Sequence, residues 1–196
     1  GIWRTNVQSR EANGYVEYRP NVGTLPGRVY ARLAQLTLNP SMTTGMENLL
    51  DQNPTAIPAL DVEVKDFELN GRKLGQLNIE ATNRGGTPNN PDAAREWRLT
   101  RLNLTLPEAT LDGSGNWAST VAAGTGSRGA NTRRTALTFK LDIRDSGALL
   151  KRFGMPDAIR GGKGTLQGAV DWLGSPASIH YPSLGGQLAL DLERGQ

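Results

Sequence analysis

Along most of this chain, apolar and polar residues alternate with a period of two. Because successive side chains of a strand point to opposite faces of a sheet, this pattern predicts half-buried strands with one apolar face, as in antiparallel sheets. The apolar runs are Val29-Ala31-Leu33, Leu36-Leu38, Leu60-Val62-Val64, Phe67-Leu69, Leu77-Ile79-Ala81, Trp97-Leu99, Leu102-Leu104-Leu106, Leu137-Phe139-Leu141-Ile143, Leu166-Gly168-Val170-Trp172 and Leu188-Leu190-Leu192.

The alternation changes phase near Ala34 and near Lys65-Asp66. A shift of one residue turns every later side chain to the opposite face, so these positions are predicted to hold bulges or bends. Residues 82–95 and 121–132 lack periodicity and are predicted to form long, mobile loops. The pairs that predict turns of a hairpin meander are Asn70-Gly71, Gly85-Gly86, Asp112-Gly113, Gly161-Gly162 and Gly185-Gly186.

Two segments predict short helices. The first runs from Met42 to Gln52, with Ser41 as its N-cap. The second runs from Ser146 to Phe153, and its apolar stripe is predicted to dock it over one end of the sheet. The residues that indicate this second helix are a cap at Asp145 or Ser146, the stripe of Leu149, Leu150 and Phe153, and Gly154 at the C′ position.

These elements predict a mainly β fold: a long, curved antiparallel sheet, groove-like or partly closed, with two short helices. Two helices cannot cover the apolar faces of seven or more strands, so something else must lie against the remainder. The sequence leaves three candidates open. They are closure of the sheet on itself, a neighbouring segment of a longer protein, and an apolar ligand in a groove.

Composition narrows the class of protein. Lys and Arg exceed Asp and Glu by 22 to 19, and the two signs are interspersed, so the net charge of +3 does not imply a nucleic-acid partner. The absence of cysteine excludes disulfides, thiolate nucleophiles and cysteine-based zinc sites. No apolar run reaches the roughly 18 residues of a membrane span. The first residues do not resemble a signal peptide, and we interpret the chain as a piece of a longer protein.

The residues with potential chemistry do not form a recognisable site. Gly124 to Gly129 has the spacing of a dinucleotide-binding loop, but no helix pattern follows, which favours a flexible loop. His180 is the only histidine, and a structural hydrogen bond is its expected role. The carboxylates between Asp61 and Glu68 alternate with apolar residues, as on the wet face of a strand. We therefore expect no catalytic, cofactor-binding or metal-binding residues, no cofactor and no enzymatic activity.

The last three quarters of the chain contain strands, turns and one helix in a recognisable order. The segments concerned are Ile57 to Gly71, Leu74 to Leu77, Trp97 to Leu106, Leu111 to Trp117 with its Gly-x-Gly-x-Trp ending, Phe139 to Gly147, Leu149 to Pro156, Gly162 to Gly168 and Trp172 to Pro176. In this order they resemble the AsmA-like superfamily, and within it the YhdP type. The resemblance covers residues 57–196, and it places residues 1–56 only weakly. We interpret residues 1–196 as one β-rich segment of a larger protein.

The resemblance implies a large Gram-negative protein that is held in the inner membrane by an N-terminal helix. Its periplasmic body would be a long, taco-shaped β-sheet with an apolar interior, associated with moving phospholipid towards the outer membrane. This chain would be a C-terminal-side segment of that body. It would contact adjacent segments of the parent chain and phospholipid acyl chains, and it would meet the membrane only through the anchor, which it lacks.

The uncovered apolar area and the resemblance together predict a lipid-binding groove. An alternative remains open: a structural or partner-binding envelope β domain with a packed core and no ligand. The residues expected to line the groove are Leu60, Val62, Val64, Leu77, Ile79, Leu99, Leu104, Leu137, Phe139, Leu141 and Ile143.

Overall fold

The computed structural model describes residues 1–23, 25–42, 44–45, 57–84, 96–120, 132–156, 161–176 and 179–193. Within them the chain forms one open sheet whose ten strands lie side by side in sequence order. The strands are β1 (Trp3–Gln8), β2 (Ala12–Arg19), β3 (Arg28–Leu38), β4 (Ala59–Leu69), β5 (Arg72–Arg84), β6 (Glu96–Thr105), β7 (Ala109–Thr120), β8 (Thr132–Ile143), β9 (Lys163–Leu173) and β10 (Gly185–Glu193). The predicted mainly β fold is confirmed.

One strand pairing departs from the expected antiparallel arrangement. Of the nine pairings among the described strands, eight are antiparallel, and β3 pairs with β4 in parallel. The sheet is therefore mixed. A parallel pair needs a crossover connection, and residues 39–58 supply it.

This crossover begins with helical residues 40–42 and 44–45. The backbone N–H of Met42 donates to the side-chain oxygen of Asn39 at 3.0 Å, so Asn39 rather than Ser41 caps the helical turn. The remainder of the helix predicted from Met42 to Gln52 lies outside the described residues, apart from residues 44–45.

The β4–β5 connection is a two-residue hairpin, as predicted. Asn70 and Gly71 both have positive φ, 50° and 78°, which is the conformation that this hairpin turn requires. The pair Gly161-Gly162 also lies in a connection, immediately before β9, with φ values of 63° and 123°.

Two other predicted turns are wrong. Asp112-Gly113 lies inside β7, because the chain reverses earlier, where the N–H of Leu106 donates to the carbonyl of Ala109 at 2.9 Å. Gly185-Gly186 forms the first two residues of β10. The predicted turn at Gly85-Gly86 lies outside the described residues. Residues 85–95 and 121–131 of the predicted loops, including Gly124 to Gly129, also lie outside the described residues. The remaining loop residues are in strands: residues 82–84 belong to β5 and residue 132 to β8.

The predicted phase changes are bulges in the sheet. In the pairing of β2 with β3, Asn13 faces Gln35 and Gly14 faces Leu33, so Ala34 is an extra residue of β3. In the pairing of β4 with β5, Val64 faces Leu77 and Phe67 faces Gly75, so β4 has one extra residue at Lys65-Asp66. A third irregularity separates Leu99 from Leu102 in β6. Each bulge returns the next apolar residue to the same face of the sheet.

Helix α1 (Ser146–Arg152) begins at the predicted residue and ends one residue before the predicted Phe153, which is its C-cap. The Asp145 side chain accepts a hydrogen bond from the N–H of Ala148 at 2.9 Å, which identifies Asp145 as the N-cap. Gly154 has a φ of 83°, and the N–H of Met155 donates to the carbonyl of Leu150 at 2.9 Å. This is a Schellman ending with Gly154 at C′.

The helix covers the end of the sheet where β7 begins. Leu149 is 8% exposed and belongs to the core formed by Ala31, Leu33, Val64, Phe67, Leu74, Leu77, Leu106 and Ala109. Leu150 is half-buried, and the predicted docking of Phe153 is wrong. Phe153 follows the last helical residue and is 39% exposed, with its ring centre 5.7 Å from the guanidinium carbon of Arg72.

A buried ion pair ties α1 to the β6–β7 turn. Glu108 is 5% exposed and accepts hydrogen bonds from the Arg152 guanidinium, one of them 3.0 Å long. Arg152 also donates to the carbonyl of Lys73 at 2.8 Å. The hydrogen bond from Arg152 holds the pKa of Glu108 below its ordinary value, so the pair stays ionised near neutral pH.

We expect Leu149→Asp to lower the free energy of unfolding by about 3 kcal/mol, because it buries a charge that has no partner. Thermal or urea unfolding measures the change. Ala148→Asp is the matched control, since Ala148 is exposed on the same helix. Equal stability of the two variants would mean that α1 does not pack on the sheet.

We expect the contribution of Glu17 to stability to disappear in acid. Hydrogen bonds from Arg19, at 2.6 Å, and Arg4, at 3.0 Å, lower the pKa of Glu17 to about 2. A carboxylate whose pKa is lowered by folding stabilises the protein above its unfolded pKa of about 4.5, and this stabilisation is lost as the pH falls towards 2. The difference in Tm between wild type and Glu17→Gln should therefore shrink from pH 5 to pH 2. A difference independent of pH would contradict this assignment.

Candidate functional site

One face of the sheet is apolar across its whole width. Directly paired residues of neighbouring strands project from the same face, so rows of paired positions can be followed from β1 to β10. We call three adjacent rows of this face the apolar face. The row nearest α1 is Val7, Gly14, Leu33, Val64, Leu77, Leu104, Leu111, Leu141, Leu166 and Leu190. The middle row is Thr5, Val16, Ala31, Val62, Ile79, Leu102, Gly113, Phe139, Gly168 and Leu188, and the third row is Trp3, Tyr18, Val29, Leu60, Ala81, Leu99, Gly115, Leu137, Val170 and Gly186.

All eleven residues predicted to line a groove project from this face. Ten of them stand in the three rows. The eleventh, Ile143, pairs with Ala109 and Gly164 two positions beyond Leu141 in the same strand. The structure thus brings together every residue of the predicted set, from β4 to β8.

The opposite face is polar. Its central row of paired positions is Asn6, Tyr15, Arg32, Glu63, Asn78, Asn103, Asp112, Lys140, Gln167 and Ala189. Exposed ion pairs such as Arg101 with Glu80, at 3.1 Å, and Lys140 with Asp142, at 3.1 Å, bridge nearby positions. Such pairs add little stability, but they keep this face in water.

Burial of the apolar face changes along the sheet. In the middle strands Ala31, Val64 and Leu77 are 3%, 1% and 7% exposed, whereas in β10 Leu188 and Leu190 are 64% and 59% exposed. The face is therefore packed around β3 to β5 and open to solvent at the β10 edge.

Glycines in β9 shape the open part. A Cβ added to Gly168 would lie 2.5 Å from Leu188 Cδ2 and 3.4 Å from Phe139 Cε1, so these two apolar side chains occupy the space above the glycine. Gly164 accommodates Leu192 of β10 in the same way, at 2.9 Å. Leucines of the edge strand thus lie over the backbone of β9 and extend the apolar surface.

A cavity of about 700 Å³ extends from β6 to β10 and is lined by residues of both faces, among them Leu102, Gly113, Phe139, Gly168 and Leu188 of the middle apolar row. Most of its lining is two rows of the polar face, one containing Asp112, Lys140 and Gln167 and the other Ser114 and Thr138. Of the eleven predicted lining residues, Phe139 alone borders it. Its lining pairs no nucleophile with a base.

The described residues contain no group of three or more His, Asp or Glu side chains placed to hold a metal ion. His180 Nδ1 lies 2.8 Å from Ser183 Oγ, in the connection between β9 and β10. Among the described helices, none has the length and apolar character needed to cross a membrane.

Sequence reasoning missed a row of aromatic residues at the end of the apolar face that lies farthest from α1. Trp97 pairs with Trp117, Trp117 with Thr135, and Thr135 with Trp172, so one level of β6 to β9 carries three of the four tryptophans. We call this row the tryptophan rim. Only the register of the strands reveals it, because the three residues share no fixed spacing in the sequence.

An open sheet with one apolar face and one polar face defines a β protein whose apolar face is packed at β3 to β5 and exposed at the β10 edge. The sequence matches the YhdP protein family over residues 1–196. The chain belongs to this family of Gram-negative envelope proteins. The match includes the first quarter of the chain, which the sequence pattern alone places weakly. No curated protein and no solved structure matches the chain.

We expect two neighbouring glycines of the apolar face to respond differently to substitution by alanine. A Cβ at Gly115 would lie 2.2 Å from the carbonyl oxygen of Ala136, whereas one at Gly113 would contact Leu102 at 3.5 Å. Gly115→Ala should therefore cost about 1–3 kcal/mol, and Gly113→Ala less than about 1 kcal/mol. Urea unfolding of both variants checks the register of β7, and a reversed order would refute it.

Proposed function

We propose that this chain is a periplasmic segment of a bridge protein anchored in the inner membrane, and that its apolar face binds phospholipid acyl chains and conducts them towards the outer membrane. The observation that carries this proposal is the continuity of the apolar rows from β1 to β10. They run across the strands, and ten strands at a spacing of 4.7–4.9 Å give a path of about 43 Å. The YhdP family is of lipid-transport type, which supports the same function.

The physical argument rests on the two faces. Acyl chains favour continuous apolar surface, at about 25 cal/mol per Å² removed from water, whereas head groups remain hydrated. A path for such molecules needs apolar side chains at every step and a solvated outer surface. The ion pairs of the polar face meet the second requirement.

The two edges of the sheet fit adjacent segments of the parent chain as partners. Every residue of β10 is exposed, and β10 pairs only with β9 among the described strands. A strand edge with exposed leucines favours pairing with a further strand. Such a strand would continue the apolar rows beyond β10.

The second candidate is a structural or partner-binding envelope domain with a packed core. The low exposure of Val64 and Leu77, together with the cover provided by Leu149, favours it. The exposed leucines of β10 and the half-buried Phe139 favour lipid contact near the β10 edge, whereas Leu141 packs against the core. Substitutions in β8 therefore distinguish lipid contact from a packed core.

A photo-crosslinker at Phe139 or Leu141 in the full-length parent protein should capture phospholipid in cells. A crosslinker at Lys140 is the control, because Lys140 pairs with Asp112 and Gln167 on the polar face. Phe139→Asp should impair lipid transport while the protein remains folded, since a half-buried carboxylate at an open face keeps part of its hydration. Unfolding of that variant, with no lipid captured at either position, would establish the packed-core alternative.

A further inference from the structure

The indole N–H groups of the tryptophan rim differ in their hydrogen bonds. Trp97 Nε1 donates to the carbonyl of Pro58 at 3.2 Å, and Trp172 Nε1 donates to that of Ser175 at 2.9 Å. Trp117, 1% exposed, has no hydrogen-bond acceptor for its Nε1 anywhere in the described structure. A buried donor without an acceptor is costly, and such groups in folded proteins call for an explanation.

A cation lies beside this donor. The guanidinium carbon of Arg133 is 5.3 Å from the centre of the Trp117 ring. Arg133 stands two positions before Thr135 in β8, on the same face as the rim. The apolar residues Leu99 and Leu137 form the next row inwards, so a positive charge and an N–H donor meet the end of the apolar face.

This combination has the chemistry of a lipid–water boundary. Tryptophan suits such boundaries because its ring is apolar and its N–H is a donor, and a guanidinium recognises phosphate through several directed N–H groups. The strands run across the path that the apolar rows define, so their ends form its two rims. Head groups of molecules whose chains lie on the apolar face would emerge at a rim. The opposite rim is covered by α1.

We propose that Trp117 and Arg133 hold the phosphodiester of a phospholipid whose acyl chains lie on the apolar face; this inference rests on the proposed function. A phosphate oxygen accepts the hydrogen bond from Trp117 Nε1, and the guanidinium of Arg133 shifts from the Trp117 ring to pair with the phosphate. The two groups would thereby fix which rim the head groups use. Trp97 and Trp172 already have backbone acceptors and take no part in this contact.

The test compares Trp117→Phe with Trp172→Phe in isothermal titrations of the full chain. The probes are dihexanoylphosphatidylglycerol, the neutral dihexanoylglycerol and inorganic phosphate. Loss of a hydrogen bond to a charged group lowers affinity about tenfold or more. Trp117→Phe should therefore weaken binding of the phospholipid about tenfold and leave binding of dihexanoylglycerol unchanged. Arg133→Gln should act in the same way, and Trp172→Phe should leave both affinities unchanged.

Thermal stability separates this role from a structural one. Both substitutions remove the same volume from a buried site, but only Trp172→Phe removes a hydrogen bond that the free protein makes. The Tm of Trp117→Phe should therefore equal or exceed that of Trp172→Phe. A lower Tm would overturn the proposal by showing that the Trp117 N–H serves the fold.

The remaining outcomes are distinct. Unchanged phospholipid binding by Trp117→Phe would overturn the head-group contact and leave the proposed function standing. Failure of the wild-type chain to bind either lipid would count against the proposed function itself. Inorganic phosphate that binds as tightly as the phospholipid, with the same dependence on Trp117, would replace the head group by a free anion and overturn the assignment.

Discussion

A sheet with apolar side chains on one face only must have that face covered, and this requirement governs the rest of the structure. The rows of paired positions keep the same face apolar from β1 to β10. Within the described residues, α1 covers the part nearest Phe67, Leu74 and Leu106. The polar face needs no cover, because its charged side chains are exposed to water and some of them form ion pairs, such as Arg101 with Glu80 and Lys140 with Asp142. The part of the apolar face that is open at the β10 edge is thus the feature that a functional account has to explain.

The bulges maintain this one-sidedness over strands of ten residues or more. Without the bulges at Ala34 of β3 and at Lys65-Asp66 of β4, Leu36 and Phe67 would project into water with the ion pairs of the polar face. The irregularity between Leu99 and Leu102 has the same effect in β6. Because bulges also increase local twist, the positions that preserve the apolar face also bend the sheet.

Local features could be predicted from the sequence, and pairings between distant segments could not. Alternation, the two phase changes, the cap at Asp145 and the turn at Asn70-Gly71 each depend on residues close together in the chain. The parallel pairing of β3 with β4 was not predictable in this way, because a one-sided strand shows the same alternation in either direction. Asp112-Gly113 has the composition of a hairpin turn, yet both residues lie inside β7. The chain reverses before β7 begins, at Pro107-Glu108. The residues that share the apolar face could be read from alternation, whereas the tryptophan rim depends on the register of four strands.

The two ends of the strands differ in how their buried polar groups are hydrogen-bonded, so the two edges of the apolar face are not equivalent. At the α1 end, donors and acceptors are matched: Arg152 binds Glu108 and the carbonyl of Lys73, and Leu149 is packed. At the tryptophan rim, the buried N–H of Trp117 is unmatched and Arg133 lies against its ring. In a purely structural sheet the buried N–H costs free energy, and the larger apolar ring is all that tryptophan offers there over phenylalanine. A surface that receives amphipathic molecules does gain from the N–H, because their chains require apolar contact and their phosphates require donors at one edge only.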